Sequence, residues 1–482
     1  MKLLSLKKTI SWILALATLS GALLLTTSCA VTEDETERTE SSSDHGEQET
    51  SESLGYNSVP KPESKLNRKV LFVGGTTDIS PDEDNKGETL TDALFRRNIV
   101  IENDYGIEIV QAELSDKDSS EETLRKQVST GLDEFDVYFG GRYAFAGVAQ
   151  QNLLVDLNSI LSMDLNNPWW DQAMREQLVI MGMNFMMTGD ISQESMLMSS
   201  CLVFNKQMMD DLQKKYPYDL VDEGKWTLDA LLGYIEGVSN DSLGRYGLSG
   251  WIYDLPFSFY YGAGDSFVKL DADTGLPVVD FDRNKFVDVY DTIYEIVINQ
   301  KSLFTTIYET DYMKTYDEFV AGNVMFSDVM LTKISQFITS MKDDYGILPI
   351  PKYDEYQENY RSFTNSVPSV MLATSEKDTE LLGNILEGMS AYNYEHVTPT
   401  IIDVVSKSKD ARDPESARMI DYIIRYRVFD YAYWADLELS NIVRDELPKR
   451  NNAIASTVKA KADAANNMLK KQVDKWDRVF NR

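Results

Sequence analysis

The sequence predicts an α/β protein, and two observations carry that prediction. Short apolar runs at residues 70–73, 107–110 and 135–139 alternate with stretches whose apolar side chains recur at the spacing of one helix face. Strand–helix–strand order with short connections implies right-handed crossovers and a parallel sheet. Such sheets bind ligands beyond the carboxyl ends of their strands, where we expect the Gly74 and Gly140 turns to lie.

The later part of the chain continues this mixed pattern. Thr227 precedes an apolar stripe at helical spacing in residues 228–238 and can cap the free amides of that helix. Residues 246–251 predict a strand, and the aromatic stretch 252–264 follows it. Residues 451–480 predict a long amphipathic helix. Because large aromatic rings dominate cores, we expect most rings of the stretch 252–264 to lie inside and one or two to line a cleft wall.

The N-terminus predicts export. A lysine-bearing start precedes an apolar run at residues 10–25, and Cys29 follows small polar residues, an order typical of a secretory signal. The run is shorter than the roughly 20 residues that a membrane-spanning helix needs. The segment resembles a bacterial lipobox, whose cysteine is lipidated, although Thr26 stands where that pattern prefers leucine. The alternative is a secreted protein that is cut nearby and carries no lipid.

The segment after Cys29 predicts a tether. Residues 31–53 are mostly Glu, Asp, Ser and Thr, which cannot bury enough apolar surface to offset the entropy of ordering. Repulsion between the acidic side chains extends such a chain. We therefore expect a signal peptide at residues 1–28 and a disordered acidic tether at residues 29–65. A plain disordered extension without a lipid fits the composition equally well.

Charge and cysteine content exclude several classes of protein. The net charge of −31 argues against nucleic acid, whose phosphates need a basic surface, and against docking of a basic patch on anionic lipids. If Cys29 carries lipid, Cys201 is left alone, and no disulfide within the chain is available. Cys201 lies in an apolar run and is expected to be a buried core residue.

The histidine content restricts the chemistry of any site. His396 is the only histidine outside the predicted tether, so a multi-histidine zinc site is excluded, and a Ser-His-Asp or Cys-His arrangement would have to use it. Carboxylates are abundant, and a glycosidase that uses a pair of them stays open. Neither Gly74-Gly75 nor Gly140-Gly141 forms a GxGxxG motif or a P-loop, so the sequence gives no support for nucleotide binding. We expect no cofactor.

Motifs spread along some 400 residues resemble those of the family 1 extracellular solute-binding proteins, the receptor components of bacterial ABC importers, usually for sugars. No single motif is diagnostic, and their order and spacing carry the resemblance. They are Asp136-Val137-Tyr138, residues 153–157, Asn167-Pro168-Trp169-Trp170-Asp171, and residues 203–206, 224–227, 319–322 and 345–355. Relatives often carry an acidic, calcium-loop-like insert where this chain has only residues 240–244, so no metal is expected.

The resemblance implies a two-lobed, periplasmic-binding-protein-like fold of type II, in which each lobe is a mostly parallel sheet flanked by helices. Ligand is enclosed as the lobes close about a hinge. The implied lobe one comprises residues 66–198 and 361–395, and lobe two comprises residues 202–360 and 398–482. The crossings would fall near residues 199–200, 360 and 396, which makes His396 a hinge-region residue.

The resemblance also implies binding without catalysis. The chain would be a monomeric, lipid-anchored receptor on the outer face of the cytoplasmic membrane that captures a carbohydrate, in particular an oligosaccharide, and delivers it to the permease subunits of an ABC importer. Sugar C–H faces pack on aromatic rings, and hydroxyls need planar hydrogen-bonding groups. The candidate ligand-binding residues are Thr76, Thr77, Arg142 and Tyr143 from lobe one and Trp251, Tyr253, Tyr260, Asp328 and Trp434 from lobe two.

Each candidate also has a purely structural interpretation. Arg142 can form a salt bridge, Tyr260 can be a core ring, and Asp328 can cap a helix. Two other functions stay open as well. An extracellular glycosidase needs two carboxylates roughly 5–10 Å apart in one cleft. An adhesin or peptide receptor would have a flatter, less aromatic cleft.

Replacing Cys29 tests the anchor. We expect the Cys29→Ala protein to fold and to appear in the culture medium, because stable membrane attachment requires more than one acyl chain. Immunoblots of membrane and medium fractions measure the distribution, and Cys201→Ala serves as the matched control that stays on the membrane. A Cys29→Ala protein that remains membrane-bound to the wild-type extent would contradict the lipoprotein hypothesis.

Overall fold

The structure is a computed structural model, and the part of the chain that it describes forms a single compact unit within Ser53–Arg482. The predicted signal peptide and Cys29 lie outside the described residues. No helix among the described residues is long and apolar enough to cross a membrane. The described residues are 54–74, 76–81, 89–112, 114, 119–305, 313–408, 411–412, 414–449 and 454–480.

Strands and helices alternate along this unit. The strands are β1 (Arg68–Val73), β2 (Ile107–Gln111), β3 (Val137–Gly140), β4 (Ser200–Asn205), β5 (Tyr246–Trp251), β6 (Val268–Leu270), β7 (Pro277–Val279), β8 (Leu303–Thr305), β9 (Val324–Met330), β10 (Tyr345–Leu348), β11 (Ser362–Phe363), β12 (Ser369–Met371), β13 (Lys407–Ser408), β14 (Ala411–Arg412) and β15 (Arg427–Val428).

The α-helices fill the connections between the strands. They are α1 (Thr76–Ile79), α2 (Thr89–Tyr105), α3 (Ser120–Thr130), α4 (Arg142–Gly147), α5 (Gln172–Gln177), α6 (Gln193–Leu197), α7 (Lys206–Asp211), α8 (Tyr218–Asp222), α9 (Leu228–Ile235), α10 (Leu255–Gly262), α11 (Arg283–Tyr294), α12 (Lys314–Val320), α13 (Leu331–Gln336), α14 (Thr379–Tyr392), α15 (Thr398–Ser406), α16 (Pro414–Arg425), α17 (Tyr431–Trp434), α18 (Ile442–Glu446) and α19 (Ile454–Phe480).

Several predictions from the sequence are confirmed. The Thr227 side chain accepts a hydrogen bond from the Ala230 amide at 3.2 Å and caps α9. Cys201 is a buried free cysteine in β4. The predicted strand at residues 246–251 is β5, and the predicted C-terminal helix is α19. Apolar periodicity and capping chemistry were sufficient for these elements because both act within a few residues.

The first sheet has the strand order β12-β3-β1-β2. Strand β1 is parallel to both β2 and β3, which confirms the predicted parallel pairing. Strand β12 is antiparallel to β3, with Ser369 opposite Gly140. The chain turns sharply at Gly74, which has a φ of 78°. Glycine is required there, because a Cβ would lie 2.9 Å from the Phe139 carbonyl oxygen. The carboxyl ends of β1 and β3 therefore share one edge.

The second sheet has the order β10-β4-β9-β5-β8. Strand β5 pairs in parallel with both β8 and β9, whereas β4 pairs antiparallel with both β10 and β9. The sheet is thus mixed: β10, β9, β5 and β8 run in one direction, as expected of a mostly parallel sheet, and β4 runs in the opposite direction. The reason is that the chain enters β4 from the crossing at Ser199, on the edge where β5 and β9 end, so β4 must run away from that edge.

Crossing segments join the two sheets. Ser199 and Thr364 form an antiparallel bridge, and the Asn365 amide donates to the Met198 carbonyl at 3.1 Å. Farther along, α14 continues through a π-helical segment, Asn393–Val397, into α15. Helix α14 packs in the apolar cluster around the first sheet, while α15 packs in a cluster with strands of the second. Backbone pairing and a continuous helix therefore connect the sheets.

A buried acid explains the Asn-Pro-Trp-Trp motif. Glu387, in α14, accepts hydrogen bonds from the indole nitrogens of Trp169 at 3.0 Å and Trp170 at 2.7 Å. It also accepts one from the side-chain amide of Asn167 at 2.5 Å. Burial raises the pKa of Glu387, and the three donors partly offset the rise. Both indoles can therefore enter the core with their N–H groups satisfied.

We expect Glu387→Leu to destabilise the protein by several kcal/mol, because each buried donor left without an acceptor costs roughly 1–3 kcal/mol. Chemical denaturation measures the free energy of unfolding. Glu122→Leu, at an exposed position in α3, is the control for the substitution and should change it by about 1 kcal/mol or less. Equal stability of Glu387→Leu and wild type would show that the three contacts do not hold this region.

Candidate functional site

Side chains from both sheets meet at the edge where strands β3 and β5 end. Arg142 follows β3, Asp254 follows β5, and Asn365 lies on the crossing segment between the sheets. The Arg142 amide donates to the Ser366 hydroxyl at 2.9 Å, and the Asn365 side-chain amide donates to Asp254 at 3.4 Å. The Tyr433 hydroxyl donates to the Asn365 side-chain oxygen. We call this arrangement the rim site; it comprises Arg142, Tyr143, Trp251, Tyr253, Asp254, Asn365, Ser366 and Tyr433.

The Arg142 guanidinium lies between two aromatic rings. Its central carbon is 4.7 Å from the ring centres of both Tyr143 and Tyr433. It also donates to the Tyr433 carbonyl oxygen at 3.2 Å and lies 3.5 Å from a carboxylate oxygen of Asp436. Planar stacking and hydrogen bonding together orient a guanidinium, whose fork can bind two oxygens at once. Arg142 is thus held in place across the rim site, from the end of β3 to α17.

Asn365 makes hydrogen bonds to several other residues of the rim site. Its side-chain oxygen accepts hydrogen bonds from the Tyr433 hydroxyl and from the Ser366 amide, the latter at 2.6 Å. Its side-chain nitrogen donates to Asp254, and its backbone amide is bound to Met198. An amide has two donors and one accepting oxygen, so most of its capacity is already used. Asn365 therefore positions Tyr433 and Asp254 relative to the crossing segment.

Two acids lie close together behind the rim. Burial raises the pKa of Asp254 to about 7, and the Lys333 ammonium offsets part of that rise. Burial and the neighbouring charge of Asp254 hold the pKa of Asp328 well above its usual range. The Ser258 side chain offsets only a small part of this rise for Asp328. Both acids therefore favour the protonated form more than an exposed aspartate does, and the pKa of Asp254 lies near neutral pH.

An aromatic pair lies at the end of β5, just before Asp254 in the chain. The rings of Trp251 and Tyr253 have centroids 4.6 Å apart at an angle of 52°. Trp251 is half-buried, whereas Tyr253 is 38% exposed. The Arg444 guanidinium lies 5.4 Å from the Tyr253 ring centre. The end of β5 thus presents aromatic surface to solvent beside Asp254, which combines an apolar face with hydrogen-bonding groups.

Three of the predicted ligand-binding residues are buried elsewhere. Tyr260 is 1% exposed and stacks on Phe267 with centroids 4.3 Å apart, because every residue of α10 is buried. Trp434 is fully buried against Phe145 and other rings. Asp328 is 2% exposed, in a strand with neighbours on both sides. The structure does not bring these three to a surface, which corresponds to a structural role for each.

The structure places the other predicted residues at the strand ends. Thr76 and Thr77 open α1, directly after β1. Arg142 and Tyr143 open α4 after β3, and Tyr143 is 66% exposed. Trp251 and Tyr253 are the aromatic pair described above. No ligand is present to test any of these contacts, so their role in binding stays a prediction.

The structure adds residues that the sequence alone did not single out, namely Asp254, Asn365, Ser366 and Tyr433. Asp254 and Tyr433 each lie one position from a predicted residue, so their signal was the aromatic stretch itself. Asn365 and Ser366 lie in a polar stretch without periodicity, and no local pattern marks them. Within the described ranges, no three His, Cys, Asp or Glu side chains are grouped as metal ligands.

The titration of Asp254 gives a prediction about pH. Its folded-state pKa of about 7 exceeds the unfolded value of about 3.9, so its contribution to stability is complete below that lower value and is lost as pH rises through the higher one. Asn cannot ionise. We therefore expect Asp254→Asn to become more stable relative to wild type between about pH 5 and pH 8.5.

Urea denaturation across this pH range measures the difference. Asp273→Asn, in an exposed turn, is the control for the substitution itself. Parallel stability curves for Asp254→Asn and wild type would show that Asp254 does not titrate as a buried acid.

Comparisons with known proteins identify the fold. No protein-family model matches the chain, and no curated protein sequence matches it. Among solved structures, it is similar to the ABC substrate-binding protein Lmo0181 of Listeria monocytogenes, with TM-score 0.56, 12% identity and coverage of 84% of this chain and 100% of the other.

Two further solved structures have the same fold. One is the maltose-bound MalE3 of T. maritima, with TM-score 0.55, 12% identity, and coverage of 83% of this chain and 100% of the other. The other is the GacH receptor of Streptomyces glaucescens GLA.O, with TM-score 0.50, 12% identity, and coverage of 86% and 99%. The chain therefore has the two-lobed α/β fold of these binding proteins, as the sequence predicted.

Proposed function

We propose that this chain is a lipid-anchored extracellular receptor that captures a carbohydrate, in particular an oligosaccharide, between two lobes and delivers it to an ABC importer. The observation that carries the proposal is the rim site, in which the Trp251–Tyr253 pair at the end of β5 directly precedes Asp254 in the chain. Asp254 is hydrogen-bonded to Asn365, which in turn binds Tyr433, the ring against which Arg142 lies. Aromatic faces suit the C–H surface of a sugar ring, and planar polar groups suit its hydroxyls. The receptor would act as a monomer on the outer face of the cytoplasmic membrane.

The lobe boundaries form part of this proposal. Lobe one would comprise residues 66–198 and 361–395, and lobe two residues 202–360 and 398–482. The sheet composition supports this division, because β1, β2, β3 and β12 come from the first set and β5, β8, β9 and β10 from the second. Closure about the crossing segments would bring Arg142 and Tyr143 towards the aromatic pair at the end of β5.

The ligands of the similar structures support a carbohydrate. Lmo0181 is described in complex with cycloalternan, MalE3 with maltose, and GacH with acarbose and an acarbose homolog. At 12% identity these proteins share the fold with this chain, and their ligands indicate a class of compound to test first. The anchor is supported separately, by the sequence around Cys29.

A binding function is favoured over a glycosidase by the position of the two acids. A glycosidase needs two carboxyl groups that both reach the bond to be cleaved. Asp328 is 2% exposed in the middle of the second sheet and has no access to a sugar. Asp254 is buried and is bound to Asn365. The pair therefore suits a supporting layer beneath a binding surface.

The direct test is a thermal-shift screen of the full-length protein against mono- and oligosaccharides, with peptides as a second panel. A ligand at one hundred times its dissociation constant should stabilise the protein by about 2.7 kcal/mol. Stabilisation by peptides alone would support a peptide receptor. Release of reducing sugar from a bound oligosaccharide would support a glycosidase.

Paired tryptophan variants test whether the rim site binds the sugar. We expect Trp251→Ala to abolish most sugar binding and to change the melting temperature of the ligand-free protein little. Trp226, fully buried with its indole N–H bound to Pro349 at 2.9 Å, is the matched control. Trp226→Ala should cost roughly 3–5 kcal/mol of stability and leave the sugar affinity of the folded protein unchanged. A large loss of stability in Trp251→Ala with affinity intact would overturn this assignment.

A further inference from the structure

An open cavity of about 330 Å³ shares none of its lining residues with the rim site. It is lined by the end of α5, by β6, by the residue before β11 and by the start of α17. Ligand pockets in proteins begin at about this size. Arg361, on the crossing segment, lines the cavity together with apolar side chains and with the charged side chains of Glu176, Lys269 and Asp430.

Arg361 carries a charge that no side chain in the described part of the chain neutralises by contact. Among the described residues, its largely buried guanidinium has no hydrogen-bond or ion-pair partner, and Asp430 and Asp265 act on it only at longer range. Burial accordingly lowers the pKa of Arg361, yet an arginine stays protonated in proteins. A buried, unpaired cation is unfavourable, and an anion that enters the cavity would remove that cost.

The nearby acids are already engaged with other groups. The two carboxylate oxygens of Asp430 accept hydrogen bonds from the amides of Phe267 and Ala432, each at 2.6 Å. Asp265 contacts the Lys269 ammonium at 3.2 Å and accepts a hydrogen bond from the Asp282 backbone amide at 2.8 Å. These acids hold the loop before β6 and the start of α17 in place. The five N–H donors of Arg361 therefore remain available to a group in the cavity.

The lining of the cavity is mixed. Its apolar part consists of Val268, Leu270, Phe429 and Tyr431, and its other charged groups besides Arg361 are Lys269 and the acids Glu176 and Asp430. A fully hydrated inorganic anion would lose its water against the apolar side chains without compensation. An anion that carries an apolar body would place its charge on Arg361 and its body on these side chains. The cavity has room for a ring or a short chain.

We propose that this cavity binds a small carboxylate with an apolar body, whose two oxygens pair side by side with the Arg361 guanidinium. The planar fork of arginine matches the two oxygens of a carboxylate in this geometry. The aromatic rings of Phe429 and Tyr431 supply the surface for the apolar part. This site is independent of the carbohydrate proposal, since it uses other residues.

Benzoate is the probe for this site, and thermal shift of the full-length protein is the measurement. We expect benzoate to raise the melting temperature in a saturable way, beyond sodium chloride at equal ionic strength, and benzyl alcohol to have no such effect. Arg361→Met should abolish the benzoate shift. Arg425→Met is the matched control, since Arg425 is exposed and paired with Asp421, and it should retain the shift.

Other outcomes would overturn the proposal. Absence of a benzoate shift, or a full shift in Arg361→Met, would exclude Arg361 as the binding group. An Arg361-dependent shift by inorganic phosphate as large as that by benzoate would show a site for oxyanions in general. If Arg361→Met does not fold, Arg361→Lys decides: it keeps the charge without the planar fork, so we expect at least a tenfold weaker response to benzoate, and an unchanged response would contradict paired binding.

Discussion

Asn365 connects the crossing segment to both walls of the rim site through one side-chain amide. Its oxygen accepts from Tyr433, its nitrogen donates to Asp254, and its backbone is tied to Met198 on the neighbouring crossing. A change in the angle between the sheets would have to bend the crossing segments that these hydrogen bonds hold. The rim residues and the connection between the sheets are therefore parts of one hydrogen-bonded network.

Buried acids recur in this strongly acidic protein, and each is supported differently. Glu387 has three side-chain donors, and Asp430 has backbone amides at the start of α17. Asp254 and Asp328 have fewer partners, and burial holds their pKa values high. Glu387 and Asp430 thus stabilise local structure, whereas Asp254 lies in the rim site and Asp328 lies behind it. Perturbed acids of this kind are concentrated at functional sites in general.

The aromatic stretch after β5 illustrates how far local pattern extends. Its density predicted that most of these rings are core residues, which the burial of α10 confirms, and the position of Trp251 at a strand end led to the prediction that it binds ligand. Tyr260 could not be separated from Tyr253 by pattern, because burial of α10 on every side depends on what packs around it. The same holds for Trp434 and Tyr433, adjacent residues of one short helix, of which only Tyr433 joins the rim network.

By itself the sequence determined the α/β class, the strands β1, β2 and β5, the capped start of α9 and the helix α19, because each depends on side-chain periodicity or on contacts a few residues apart. Only the tertiary structure decided that β4 runs antiparallel in the second sheet, that Asn365 joins Asp254 to Tyr433, and that Arg361 lines a cavity with no ion-pair partner among the described residues. These features depend on residues brought together from distant parts of the chain, and no local pattern encodes such distances.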